Sequence, residues 1–427
     1  MVDMKTRTNL PPAFHRFWAA AGISSLGDGI RLSALPLLGA TLTDDPTVLS
    51  LLTAAALLPW LLFGVLGGAL VDRWDRRSTM WIADLARATL LAFAAVAGLA
   101  GRLSIPALLV VAFLLGIGQL MFDTAAQSYV PQLLGRDHDV MQRANSRLRG
   151  TQQVADGFLG PPAGSALFTL GRTVPFVADA ISFAVSAVLV RALPVLPVKR
   201  DGPRGSLLAD ARDGATYLFR DRLLLGLAIR PAIGNVAFMA GEAVLVLFAR
   251  DRLHLDAAGY GLLLSCQAVG GVLGTLLAGR LSRHLGIGGA LTLTAATEAV
   301  AQLALAFSDH ALVAGAVLAV TGAAISATMV LGPSIRQTIV PEHLMGRVSA
   351  ASRLMAVSGG PLGAVIGGVL ASAFGLRVPF VFGAVLLGSM TLITLPMVTN
   401  RRIEAALAAA RAPERAVPHR PEDDVDA

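Results

Sequence analysis

Long apolar runs separated by short charged stretches set the rhythm of this chain. Runs of spanning length cover residues 14–42, 48–71, 78–100, 104–133, 147–170 and 173–196, and a second set covers 223–249, 257–281, 286–308, 311–335, 348–374 and 377–399. A bilayer core is crossed by roughly 20 helical residues, so each run predicts one membrane-spanning helix. The chain therefore predicts an all-α integral membrane protein of twelve helices. The first run lacks a small-residue cleavage site and is expected to stay as an uncleaved helix.

The two sets repeat each other. Residues 64–77 read GVLGGALVDRWDRR and residues 271–284 read GVLGTLLAGRLSRH, identical at seven of fourteen positions. VPFV at 174–177 returns at 378–381, and Val130-Pro131 returns as Val340-Pro341. Offsets this similar predict two colinear six-helix bundles, a transporter architecture. The organisation expected is a tail at 1–13, a bundle at 14–196, a basic linker at 197–222, a bundle at 223–399 and a tail at 400–427. The second half of the linker is expected to form an amphipathic helix on the membrane surface.

Charge fixes the orientation. Of the 35 lysines and arginines, twenty-seven lie in or beside the tails, the linker and alternate loops, and five lie in or beside the opposite loops. Positive charge collects on the cytoplasmic side, so both termini are placed there. With 55% hydrophobic and 15% charged residues, the chain is too apolar for a soluble protein. The net charge of +7 belongs to loops rather than to one basic surface, which argues against nucleic acid as a partner.

Several chemistries are excluded as well. Cys266 is the single cysteine, so no intrachain disulfide is possible, and the seven histidines lack metal-ligand spacing. The two lysines, Lys5 and Lys199, do not follow glycine, so no Walker A loop exists and ATP is not expected as the energy source. No nucleophile, base and orienter recur at useful spacing, so no enzyme is expected. Neither a cofactor nor a metal is expected, and a proton gradient remains to drive transport.

GGALVDRWDRR resembles the G-x-L-x-D-R-x-x-R-R signature of the major facilitator superfamily, through Gly68, Leu70, Asp72, Arg73, Arg76 and Arg77. GPPAG at 160–164 is similar to the G-P-x-x-G element of its proton-linked exporters. SSLGDGIRLSALPLL, QRANSRL and ADAISF resemble the branch of macrolide-efflux proteins and the enterobactin exporter. The resemblance covers about 14–399. It implies a monomeric inner-membrane efflux protein that moves a small amphipathic or hydrophobic compound, a drug or antibiotic, by antiport with protons. A siderophore exporter, a lysophospholipid flippase and, remotely, a transport-dead sensor are the alternatives. Two departures stand out: helix 4 reads VVAFLLGIGQL without the arginine of many drug exporters, and Gly279 replaces the signature aspartate in the second copy.

Ionisable groups inside a bilayer cost roughly 2.5–3.5 kcal/mol each, so each needs a partner, water or a function. Ten stand away from the ends of the runs, in the expected membrane interior: Asp28, Arg31, Asp84, Arg87, Asp123, Asp156, Asp179, Arg230, Glu242 and Glu298. Asp28 lies near the midplane of helix 1, flanked by Gly27 and Gly29, which leave room for bending or close substrate approach. It is the first candidate for proton coupling, against the alternative of a plain pair with Arg31 one turn away. Asp156 and Glu242 are the other candidates for the proton or substrate cavity, while Glu298 is expected to be structural. Depth favours structural pairs of Arg31 with Asp179 and within the Asp84 and Arg87 set, with Arg87 also competing for Asp123. By resemblance, Asp72 faces the helix 11 N-terminus and Arg76 bridges it to Asp123 as a conformational latch. Gly68, Arg73 and Arg77 complete the signature loop. Gly160, Pro161 and Gly164, with Gly360 and Pro361 in the second half, are expected to pack or hinge the seam between bundles.

Overall fold

The computed structural model describes residues 10–71, 74–135, 137–196 and 207–411, and among them every regular element is helical. The first half holds α1 (Pro12–Ala40), α2 (Pro46–Val71), α3 (Arg76–Leu99), α4 (Ile105–Leu134), α5 (His138–Gln152), α6 (Gly160–Leu170) and α7 (Val174–Arg191). The second holds α9 (Arg222–Glu242), α10 (Leu245–Asp251), α11 (Ala257–Ala306), α12 (Ala311–Ile339), α13 (Glu342–Phe374) and α14 (Val378–Thr394). Between them runs α8 (Leu207–Arg220), and α15 (Asn400–Arg411) closes the described chain.

Eight segments among the described residues are long and apolar enough to cross a membrane. Some passes, within these eight and beyond them, are composite or interrupted. α5, a π-helical turn at Gln153–Leu159 and α6 make one pass, and α9 and α10 make another, broken at Ala243 and Val244. α11 runs through two apolar runs and bends sharply at Gly286, where φ is 70°. Asn400 fixes that bend: its Oδ1 accepts from Gly288 N at 2.8 Å and its Nδ2 donates to Leu285 O at 2.7 Å. A side chain at Gly286 would be strained and would collide with Asn400, which explains glycine there.

Helix ends depart from the apolar runs for a polar reason. α5 begins at His138, nine residues before the apolar run at 147, because Asp137 caps it and accepts from Val140 N at 3.1 Å. α13 likewise starts at Glu342. In the linker, α8 packs its Leu218 fully buried with Leu224, Ala228, Val340 and Val348. It docks on α9 and α13.

The largest buried cluster joins the two halves, bringing Leu35, Leu38, Leu49 and Leu52 to Val244, Leu247, Phe248 and Leu264. Polar contacts between halves lie at the same outer end. Arg250 donates to Ala40 O at 3.1 Å and pairs with Asp44 at 2.8 Å, and Thr47 donates to Gly368 O at 3.3 Å. These contacts join the two halves at their outer ends.

Candidate functional site

Four helices of the first half converge on one buried polar network. Arg31 of α1 pairs through Nη2 with Asp28, one turn before it, and its Nε donates to Asp179 Oδ2 of α7 at 3.1 Å. Arg87 of α3 pairs through Nη2 with Asp84 and donates through Nη1 to Gln119 of α4. Its Nη1 also stands 3.9 Å from Asp28 Oδ2, which joins the two clusters. Gln119 Nε2 then donates to Asp123 at 3.0 Å.

The outer carboxylates are held by hydroxyls as well. Ser182 donates to Asp179 Oδ1 at 3.3 Å, and Ser186 donates to Asp84 Oδ2 at 2.6 Å. Both carboxylates are fully buried, whereas Asp28 keeps 20% of its side chain exposed and, among the described residues, has the two arginines as its polar partners. Each arginine thus has a carboxylate of its own, and Asp28 is the extra one between them. A buried network with more carboxylates than guanidiniums is balanced only by bound protons or other cations.

The glycines beside Asp28 serve this packing, not bending or substrate approach. A Cβ on Gly27 would strike Ser182 and Asp179, and one on Gly29 would strike the backbone of Asp156 and Gly160. α1 stays helical through both. Helix 4 also makes room: a Cβ on Gly118 would meet the Arg87 side chain, whose guanidinium lies 4.0 Å from the Phe183 ring centre and 5.2 Å from that of Phe122. Helix 4 lacks its own arginine, and α3 places one against the same helix face.

Asp156 falls in the π-helical turn, a distortion that often accompanies function, directly against α1 at Gly29. Glu242 ends α9 at the break in its pass, and Glu298 lies in α11; among the described residues neither makes an ion pair or hydrogen bond. Arg230 is buried, has no carboxylate partner among the described residues, and donates to Thr394 at 2.9 Å and Thr292 at 3.3 Å. Ionic chemistry within the membrane is thus concentrated in the first half.

The signature loop is partly visible. Asp72 and Arg73 lie outside the described residues, and Gly68 lies in α2. Asp75 caps α3 by accepting from Ser78 N at 3.0 Å, and Arg77 Nη1 donates to Leu193 O at 3.0 Å. Arg76 is buried, with Nε and Nη1 lacking hydrogen-bond partners among the described residues. It opens α3. No hydrogen bond or ion pair joins it to Asp123 among the described residues, where Asp123 is held by Gln119.

The proline and glycine elements divide their contacts. Gly160 and Gly164 face α1 within the first half, where Ser33 donates to Pro161 O at 2.9 Å. Gly261 of α11 abuts Pro161 and Ser165 across the seam, and Gly360, next to Pro361 in α13, would place a Cβ 3.2 Å from Leu57 of α2. Sequence reading missed Arg353, Trp60 and Gln119. Arg353 stands five residues inside its apolar run, close enough to the end to count with the loop charges, while Trp60 and Gln119 carry no charge to draw attention.

Comparison with known proteins follows this geometry. The sequence profile of one family, described as transmembrane secretion effector, matches residues 10–424. The multidrug efflux pump Tap of Mycolicibacterium fortuitum is 28% identical over 374 residues, covering 84% of this chain and 90% of that protein. The enterobactin exporter EntS of Escherichia coli O1:K1 / APEC is 28% identical over 412 residues, covering 90% and 92%. Among solved structures, the nucleoside transporter NupG superposes with a TM-score of 0.76 at 14% identity, covering 91% of this chain and 99% of that one. A bacterial homologue of the iron transporter ferroportin in an inward-facing state gives 0.74 at 15% identity, covering 92% and 100%.

Proposed function

Because the chain belongs to the transmembrane secretion effector family of the major facilitator superfamily, we propose that it exports a small amphipathic or hydrophobic compound across the bacterial inner membrane in exchange for protons. Alternating access carries the compound: a cleft between the halves, which meet at their outer ends, loads from the cytoplasm, and rocking of the two halves opens it outward. The names of the relatives, a multidrug efflux pump and an enterobactin exporter, support export as the direction.

One observation carries the coupling. Asp28 stands between Arg31 and Arg87, each of which already has its own carboxylate in Asp179 or Asp84. A proton on Asp28 leaves two matched pairs, and its loss leaves one carboxylate competing for both arginines. The two charge states favour different arrangements of α1, α3 and α7, so protonation biases the conformational equilibrium. Asp156, packed against α1, is the second proton candidate, and Glu242 is the candidate at the break in the facing helix.

Arg76 and Asp72 act separately from this network, as a charge contact at the cytoplasmic rim when that side closes. Efflux from reconstituted vesicles with an imposed pH gradient tests the reading. Export that follows the gradient and collapses with a protonophore is expected. Export indifferent to both overturns proton coupling.

A further inference from the structure

Arg353 of α13 comes from the other half and reaches the first half beside α2 and α4. The contacts of Gly116 with Ala56 and of Gly360 with Leu57 set the register of these helices and place Trp60 of α2 about one turn outward of Asp123 of α4 and of Arg353. The Arg353 guanidinium carbon is 5.5 Å from the Trp60 ring centre, and Arg353 lies within electrostatic range of Asp123.

Arg353 is weakly held. Its side chain is exposed, and it forms no ion pair with a carboxylate among the described residues. Asp123 has a neutral amide, Gln119, as its hydrogen-bond partner. An aromatic face and a carboxylate without a paired cation form a receptor for positive charge. The other carboxylates on this side, Asp28 and Asp156, add to the negative field, while Arg87 is committed to Asp84 and Gln119. An anion brought to Arg353 would face all three acids.

We propose that Trp60 and Asp123 form a cation subsite at the seam between halves, which Arg353 fills in the empty transporter and which the cationic group of a substrate takes by displacing it. This rests on the reading of the cleft as the substrate path, and it narrows the exported class to amphipathic organic cations. Displacement also frees Arg353, a second-half residue, from the first half, so binding loosens one contact across the seam.

Equilibrium binding of tetraphenylphosphonium to the purified full chain tests the subsite, with uncharged triphenylphosphine oxide and anionic tetraphenylborate as controls. Removing the resident cation in Arg353→Ala is expected to tighten tetraphenylphosphonium about threefold to tenfold, the scale of a cation–π contact. Arg353→Lys is expected to bind as the parent does. Trp60→Leu is expected to weaken the cation by a similar factor without affecting the neutral probe, with Trp60→Phe retaining most binding and guarding against misfolding. Tetraphenylphosphonium binding that is absent in every variant, or unchanged or weaker in Arg353→Ala, overturns the subsite. So does a loss of tetraphenylborate binding in Arg353→Ala without a gain for the cation, which would make Arg353 an anion receptor. Proton exchange is read separately: coupled export with unchanged Arg353→Ala binding defeats the subsite alone, whereas tightened binding in a protein that moves no protons defeats the coupling alone.

Discussion

Arg31 donates to Asp179 across the first bundle at 3.1 Å, and the same guanidinium turns its other face to Asp28 one turn earlier in α1. The contact ties α1 to α7 while leaving Asp28 dependent on charge it must share. Asp179 is fully buried, so removing its counter-cation strands a carboxylate. Arg31→Gln is predicted to cost about 3–5 kcal/mol. Thermal unfolding in detergent checks this; a melting temperature equal to the parent's would show that the pair does not support the fold.

Close backbone contact between α1 and the helix 5 pass makes a contrasting pair of glycines. Gly29 meets the backbone of Asp156 and Gly160, which cannot yield as a side chain can, whereas Gly64 has open space around it. Gly29→Ala is predicted to lower stability by at least about 1 kcal/mol, and Gly64→Ala to leave it level or slightly higher. Equal melting curves for both variants would contradict the packing described here.

Arg230 offers a third test. It is a buried cation held by two threonines, and replacing an unpaired buried charge with an apolar side chain of similar length is often neutral or stabilising. Arg230→Met is predicted to match or exceed the parent in thermal stability. A loss of more than about 3 kcal/mol would indicate an ionic partner for Arg230.

At the cytoplasmic rim, Asp72→Asn is predicted to raise the inward-open fraction by removing one charge of the contact with Arg76. Spin-label distances between the cytoplasmic ends of α2 and α13 measure it. An unshifted distance distribution would remove Asp72 from the switch.

Much of this architecture is readable from apolar run length, the repeated helix ends and the alternation of basic loops, since the bilayer imposes all three on the sequence directly. Depth counting also places Arg31 near Asp179, because both residues sit at comparable distances from the outer face. It fails where rotation about a helix axis decides. Arg87 and Asp123 share a depth, yet Gln119 stands between them as donor to one and acceptor from the other. The glycines around Asp28 look like hinges in sequence, and only the approach of α7 and the π-helical turn reveals them as packing sites. Arg353 escapes depth counting because it stands only five residues inside its apolar run, whereas the polar start of α13 at Glu342 sets it eleven residues into the helix.

The exchange of protons for substrate in Asp28→Asn is the most direct test of the mechanism. Proteoliposomes with an internal pH-sensitive dye report proton movement as substrate is exported, and binding and melting curves confirm an intact protein. Asp28→Asn fixes the network in its two-pair arrangement, so the variant is predicted to bind substrate and to lose substrate-linked proton movement. Proton exchange at the parent's rate and stoichiometry in Asp28→Asn would contradict the account.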